Sequence, residues 1–503
     1  MGGRGARAQA VRFAGAVLGG VLCATTLLVD GAVARSQGAA AVARAEPDPY
    51  AFADDVKSVA GATSTAGSRM LVPGATYKSA IGHPGPGPTS SESAPSGSAP
   101  SGSAPSGASS SGAARGSELF YRLELGARDT VYVSVTALPA PGSRVVFADG
   151  IKVSVQDADG FACDYGSARF GASLDPRPLT ASAVRRAGPE ERRCGTAGTY
   201  YVVVERTTSS RSPVSSAPTE KPSSPEDWDL ELYVASEPAL AKAGPTTPPQ
   251  TWDSAPPEPP AGAPLPREGG SGFATARALS AGAWADRVRA GQTRYYRVPV
   301  GWGRRLSATL EIGGGARSGD YVTSALVMEL FNPVRSRVED VDSAYDGRQR
   351  RTSLPALPPV AHENRYEALN RVSGMRFAGW YYLAVHLDRD VGTRFGTDAV
   401  GLTLRVNVDG AHRSGPAYAG TPRPADAFTI TERDESAARK GDGGDGSAGP
   451  GADGDSASGA SGGEGGGMAM KVLAGAGFGT GTVLLAVLGV WRAVARRRVR
   501  TSA

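Results

Sequence analysis

From Phe120 to Leu125 the chain reads Phe-Tyr-Arg-Leu-Glu-Leu, which puts Tyr121, Leu123 and Leu125 on one side of an extended backbone and Arg122 and Glu124 on the other. A period of two marks a strand with one buried face. β-forming stretches of the same kind recur at Val131–Val135, Val153–Asp157, Gly198–Arg206 and Trp228–Val234. Amphipathic helical patterns are scarce, and Glu363 to Val372 is the best candidate for a short one. Many short strands separated by Gly, Pro and Asp turns, with one-sided alternation, predict an all-β chain of jelly-roll-like antiparallel β-sandwiches.

The strand GTYYVVVER at Gly198–Arg206 has an echo, GWYYLAVHL, at Gly379–Leu387. The echo brings companions. Leu71–Tyr77, Phe120–Leu125, Val131–Val135, Val153–Asp157, Gly198–Arg206 and Trp228–Val234 are answered in the same order by a second set. That set is Leu279–Trp284, Tyr295–Val300, Leu306–Leu310, Val327–Phe331, Gly379–Leu387 and Leu402–Val406. Six matched segments in one order predict a duplicated module, one copy over residues 48–238 and the other over 271–414.

The ordered motifs resemble bacterial pre-peptidase C-terminal (PPC-like) domains. The match is best through Gly291-Gln292-Thr293-Arg294-Tyr295-Tyr296-Arg297-Val298 and Ala378-Gly379-Trp380-Tyr381-Tyr382. The resemblance covers both blocks and implies two tandem jelly-roll-like sandwiches, of the kind appended to secreted enzymes and surface proteins. Some relatives of that type hold calcium through acids near the domain start. Here the second block opens Gly272-Phe273-Ala274-Thr275-Ala276-Arg277-Ala278 without an acid, and Asp54 and Asp55 of the first have no cluster around them.

The two ends fix the expected compartment. Arg4, Arg7 and Arg12 precede an apolar run from Phe13 to Val29 and an Ala32-Val33-Ala34 site, the pattern of a signal peptide over residues 1–34 cleaved near Ala34. Cys23 follows Leu22, which is not the small residue that a lipoprotein signal wants. Val472 to Trp491 contains no charge and is long enough to span a bilayer as a helix. Arg492, Arg496, Arg497, Arg498 and Arg500 follow it, so residues 492–503 form a cytoplasmic basic tail and the body lies outside the cell membrane. Gly475, Gly477, Gly479 and Gly481 give the span a small-residue face suited to homodimerisation.

Net charge changes its meaning once it is divided. Of the +5, the signal region carries +2 and the tail +5, leaving the ectodomain at −2. The basic surplus is a topology signal, so no nucleic-acid partner is expected. Glycine and proline make up about a fifth of the chain, which predicts long linkers. These are an insertion at 82–116 with SAPSG repeated at Ser93, Ser98 and Ser103, a proline-rich linker at 239–270, and an acidic stalk at 415–467. Outside the signal region two cysteines remain, Cys163 and Cys194, 31 residues apart. In an oxidising compartment they most simply pair, the other reading being two buried thiols.

Little in the sequence points to catalysis. His362-Glu363 lacks a second histidine at zinc-helix spacing, and the GxSxG string at Gly459–Gly463 falls in the stalk. No catalytic, cofactor or metal residue is assigned, and no cofactor is expected. Asp157, Asp159 and Asp164 offer oxygens for calcium or, more simply, a turn. Glu339, Asp340, Asp342 and Asp346 read as a solvated loop beside Arg335, Arg337, Arg348 and Arg350. The aromatics Tyr121, Tyr200, Tyr201, Trp228, Tyr295, Tyr296, Trp380, Tyr381 and Tyr382 serve either as core or as a sugar-stacking platform. Trp302 is the one most readily placed at the surface. The expectation is a single-pass, non-catalytic surface protein of high-GC Gram-positive type. Its expected partner is an extracellular protein or membrane complex, or alternatively a cell-wall glycan; an enzyme of unrecognised type is the remote third reading.

Overall fold

The alternation seen in the sequence becomes, among the described residues, twenty strands in four five-stranded sheets. A computed structural model describes residues 48–84, 116–188, 193–208, 222–247, 252–255, 257–396 and 399–441. The signal peptide, the interior of the 82–116 insertion, the stalk from residue 442, the membrane helix at 472–491 and the basic tail lie outside them. Among the described residues no helix is long and apolar enough to cross a membrane.

The first sandwich contains β1 (Lys57–Ser58), β2 (Arg69–Met70), β3 (Thr76–Ile81), β4 (Glu118–Leu125), β5 (Thr130–Leu138), β6 (Gly150–Gln156), β7 (Ala162–Arg169), β8 (Leu179–Arg185), β9 (Gly198–Thr207) and β10 (Trp228–Glu237). Its sheets run β1-β3-β10-β5-β8 and β2-β4-β9-β6-β7. The second contains β11 (Leu265–Pro266), β12 (Arg277–Ala278), β13 (Gly282–Arg289), β14 (Gln292–Val300), β15 (Arg305–Ile312), β16 (Val322–Phe331), β17 (Arg337–Tyr345), β18 (Arg350–Ser353), β19 (Gly379–Leu387) and β20 (Ala399–Asp409). Its sheets run β11-β13-β20-β15-β18 and β12-β14-β19-β16-β17. Adding ten to each strand number of the first sandwich reproduces the second. All six segment pairs matched in the sequence contribute to strands that hold equivalent places.

The sheets are not wholly antiparallel, as the sequence had suggested. β1, β2, β11 and β12 are two-residue edge strands that pair in parallel with β3, β4, β13 and β14. Their cause is topological. The chain alternates between layers over β1, β2, β3 and β4, and two reversals restore its original direction. The 82–116 insertion is accommodated because its ends meet, with Gly82 N–H donating to the Gly116 carbonyl.

Each sandwich has its own apolar core. Tyr121, Leu123, Val133, Val153, Val202, Val204, Leu230 and Leu232 fill the first, and Tyr296, Val298, Leu310, Met328, Leu330, Leu383, Val385 and Leu404 the second. In β9 Tyr200 points into the core and its hydroxyl lies 2.7 Å from the Thr196 carbonyl. In β19 Tyr381 does the same with the carbonyl of Phe377, at 2.8 Å. Both rings reach back four residues and tie the strand to the chain that feeds it, a device typical of sandwich corners. The disulfide Cys163–Cys194 joins β7 to the loop before β9. On a chain-entropy basis a loop of this length contributes about 3–4 kcal/mol.

Several expectations change. Glu339, Asp340 and Asp342 lie on edge strand β17 rather than in a loop, since Val338 and Tyr345 anchor its inner face while the acids remain outside. Charged edges of this kind discourage edge-to-edge pairing. The short helix expected at Glu363–Val372 divides into a 3-10 turn, His362–Tyr366, and α1 (Asn370–Ser373). Residues 415–441 are folded and include α3 (Glu432–Lys440), whose Thr431 and Asp434 form a reciprocal cap; a capped helix supplies its own end hydrogen bonds. The proline-rich segment also makes contacts, through β11 and through Arg305 and Arg405, which donate to the carbonyls of Asp253 and Pro260.

Replacing Tyr381 by Phe should lower stability by about 1–2 kcal/mol, because the buried Phe377 carbonyl loses its partner. Denaturant unfolding of the full-length chain measures this; an unchanged midpoint would show the hydroxyl to be dispensable.

Candidate functional site: the junction of the sandwiches

Beyond the exposed Asp229 at its start, β10 is covered on both faces. Trp228, Leu230, Leu232 and Val234 point into the first core, while Glu231, Tyr233, Ala235 and Glu237 point toward the second sandwich. Glu231 is 1% exposed, and its Oε2 accepts from the Tyr50 hydroxyl at 2.6 Å and from Arg335 Nη1 at 2.8 Å. Glu237 Oε2 accepts from the Tyr132 hydroxyl at 2.6 Å, and its Oε1 lies 3.1 Å from His362 Nε2. Burial alone would raise the Glu237 pKa. The hydrogen bond from His362, the Arg376 charge and the Tyr132 hydroxyl outweigh it and hold the carboxyl below its ordinary range.

Arg335 occupies its position through a repeated turn. Between β6 and β7, Asp157 Oδ1 accepts from the N–H groups of Asp159 and Phe161, with Gly160 at φ +82°. Between β16 and β17, Asn332 Oδ1 accepts from Val334 and Ser336, and the fourth residue, Arg335, has φ +56°. The second copy places an arginine where the first has the glycine that a left-handed backbone favours. The Arg335 guanidinium then sits over the rings of Tyr233 and Phe273, 4.4 and 4.8 Å from their centroids. The possible calcium ligands Asp157 and Asp159 therefore belong to a turn, while Asp164 accepts from Val184 N–H. No cluster of three potential metal-ligating groups occurs among the described residues.

A third contact comes from the loop Phe170–Pro178 between β7 and β8. Asp175 accepts from the Arg389 backbone and guanidinium and lies 3.1 Å from His386 Nε2. Its pKa is lowered despite burial, by the hydrogen bond and charge of His386 and then by Arg389. Asp388 caps α2 (Arg389–Phe395), and burial with the nearby Asp175 carboxylate pushes its pKa up to about 6. Two arms clasp the junction. Tyr50 packs edge-on against Tyr295, and the C-terminal segment bridges Leu240 with Tyr418 and stacks Phe428 on Phe377 at 4.6 Å.

These contacts leave an open cleft of about 750 Å³ at the junction. Tyr50 and Phe52 of the N-terminal arm form one wall, residues 138–142 and 176–178 of the first sandwich another, and Gly291, Thr293 and Arg389 of the second sandwich the third. Concave, mainly apolar sites with a few polar groups at domain junctions are the usual form of a binding pocket.

The disulfide is not among the cleft residues. Of the four histidines, His362 and His386 serve the junction, a role not read from the sequence. Of the aromatics read either as core or as a sugar-stacking platform, Tyr121, Tyr200, Tyr295, Tyr296, Tyr381 and Trp228 are buried and serve as core. Trp302 is half-buried beside Gly415. The sequence reading placed none of Glu231, Glu237, Asp175 and Arg177 at a site, and Arg335, expected beside a solvated loop, is buried at the junction. Only the Asp175-Pro176-Arg177-Pro178 string, with charges locked between prolines, offered a signal.

No family model and no curated protein sequence match the chain. Similar solved structures include the CUB1-EGF-CUB2 region of human MASP-1/3, with 7% identity over 58% of this chain and 93% of that one and a TM-score of 0.15. They also include the CBM22 tandem of Paenibacillus barcinonensis Xyn10C, with 9% identity over 58% and 83% and a TM-score of 0.17. A third is the ANXUR2 extracellular domain of Arabidopsis thaliana, with 9% identity over 59% and 84% and a TM-score of 0.14. Likeness at this level carries no functional argument.

Arg335→Gly relaxes the turn by about 1 kcal/mol but strands Glu231, so the net effect should be a loss of about 2–4 kcal/mol. Urea unfolding decides the sign. Asp388→Asn should act in the opposite direction. Below about pH 4 the folded and unfolded carboxyls are both protonated and the change matters little; above pH 6 the ionised folded form bears its full penalty. The variant should therefore gain about 1–2 kcal/mol at pH 7.5 and almost nothing at pH 3.5. A pH-independent gain would remove the electrostatic explanation.

Proposed function

We propose that the chain is a non-catalytic, membrane-anchored extracellular binding or scaffold protein, built on two PPC-like sandwiches, that takes its partner in the cleft at their junction. The observation that carries this reading is the buried charge pairing that fastens the sandwiches, because it holds the cleft walls in place before any ligand arrives. Preorganisation of this kind lowers the ordering cost of binding. Support for the compartment comes from the sequence: a signal-peptide pattern, an uncharged 20-residue span from Val472 to Trp491 and an arginine tail. The partner expected is a protein, alone or within a membrane or secretion complex. The alternative is a cell-wall glycan, favoured by the aromatic rings of Tyr50 and Phe52 at the cleft.

Protease treatment of intact cells expressing the full-length chain should remove the sandwiches and spare an epitope on the C-terminal tail. Cleavage of the tail epitope would overturn the orientation. The intact chain should also fail to be retained on peptidoglycan or polysaccharide; retention would replace the protein-binding reading by the glycan one.

A further inference from the structure

The cleft contains a cation that pairs with no carboxylate of the described residues. Lys78 pairs with Asp229 at 3.1 Å and lies over the Phe52 ring, and Arg389 pairs with Asp175. Arg177, which also lines the cleft, pairs with no carboxylate among the described residues. It is 8% exposed; its Nε and Nη1 are shut off from solvent without a hydrogen-bond partner among those residues, and Nη2 is the nitrogen that keeps accessible surface. A buried guanidinium in this state is costly, because it has given up water and gained no anion.

The surroundings hold Arg177 in place without satisfying it. Pro176 and Pro178 flank it, and each proline fixes its own φ and restricts the residue before it. The guanidinium lies 5.7 Å from the centroid of Phe170, which packs edge-on against Trp228 at 5.9 Å. Asp175, two residues earlier, anchors the loop to the second sandwich. A cation that is buried, held by a ring face and locked between prolines is already ordered for an incoming anion.

We infer that Arg177 and the cleft around it form a binding site for an acidic peptide segment, whose carboxylate engages the guanidinium while its apolar neighbours lie against Tyr50, Phe52 and the flanking prolines. A carboxylate is the strong acceptor for a guanidinium N–H, here that of Nη2. The walls favour a peptide over a glycan. Pro49, Pro139, Pro141, Pro176 and Pro178 present ring surface and no N–H donor, which suits apolar side chains better than hydroxyl-rich sugars. This inference rests on the cleft being the ligand site and adds the chemistry of the ligand.

Calorimetric titration of the full-length chain with four probes tests it. N-acetyl-Pro-Phe presents a C-terminal carboxylate, N-acetyl-Pro-Phe-amide is its neutral counterpart, N-acetyl-Glu-Phe-amide carries the carboxylate on a side chain, and digalacturonate is an acidic sugar. At least one acidic peptide should bind, with Kd weakened tenfold or more in the neutral counterpart and in Arg177→Met. Arg177→Lys should recover part of the loss, and thermal unfolding should show both variants folded. The stronger acidic peptide identifies whether the chain end or the side chain is the source of the carboxylate. Equal binding of the amide, retained affinity in folded Arg177→Met, or no binding of any probe overturns the inference. Tighter binding of digalacturonate that depends on Arg177 overturns the peptide class and leaves the cleft intact. Ala140→Trp, which narrows the cleft without altering Arg177 itself, separates the two levels. Binding that survives it removes the cleft reading altogether, whereas amide binding abolished by it keeps the cleft and removes the anion.

Discussion

A carboxylate buried between two sandwiches needs a cation, and for Glu231 that cation is Arg335 of the other sandwich. Much of the architecture around β10 follows from this requirement. Buried ion pairs contribute little net stability, because desolvation offsets much of the attraction. Removing one partner is far more damaging than never having had either. Such a pair therefore acts chiefly as a register device: the sandwiches fit in the arrangement that brings Arg335 to Glu231, His362 to Glu237 and His386 to Asp175. The strained turn at Arg335 belongs to the same logic, since an unfavourable backbone angle persists where the surrounding contacts over-determine it.

The duplication gives this junction its form. The β10 sheet of the first sandwich meets the β14-β19-β16 sheet of the second, so two non-equivalent faces of one repeated fold are in contact. A heterologous contact of this type leaves one complementary face free at each end and would continue if more copies followed. Here the free face of the second sandwich is partly occupied by its own chain. Arg405 on β20 binds Glu311 and the carbonyl of Pro260, and Arg305 reaches Asp253. On the free sheet of the first sandwich, Arg122, Glu124, Lys152 and Glu205 form half-exposed pairs suited to water. The equivalent strands β10 and β20 have thus diverged into a junction strand and a covered outer strand.

That divergence explains what the sequence made legible. Core-facing positions were visible in both copies because burying apolar groups imposes a period of two whatever the other face does. The other face was not legible. Glu231 and Glu237 alternate with leucine and valine as solvent-facing residues would, and their partners are more than 100 positions away. Asp175 and His386 lie 211 positions apart, beyond any local pattern. β17 was hidden because a charged edge strand resembles a loop in composition. α3 was hidden by its place between Gly/Pro-rich stretches, although Thr431 and Asp434 carried a readable cap.

The cleft then follows from how the junction is closed. Salt bridges and aromatic arms hold its walls at separate points, through Glu231, Glu237 and Asp175, and none of these contacts fills the space between Tyr50 and Pro176. A preformed gap between rigid layers loses little on ligand entry, because no loop has to order first. The same rigidity fixes where Arg177 is presented. Its loop is anchored by Asp175 and stiffened by two prolines, and no carboxylate of the described residues reaches the guanidinium. Stability would favour relieving that charge. Its retention in a junction fastened by charge pairs is the kind of local conflict that proteins keep where they bind.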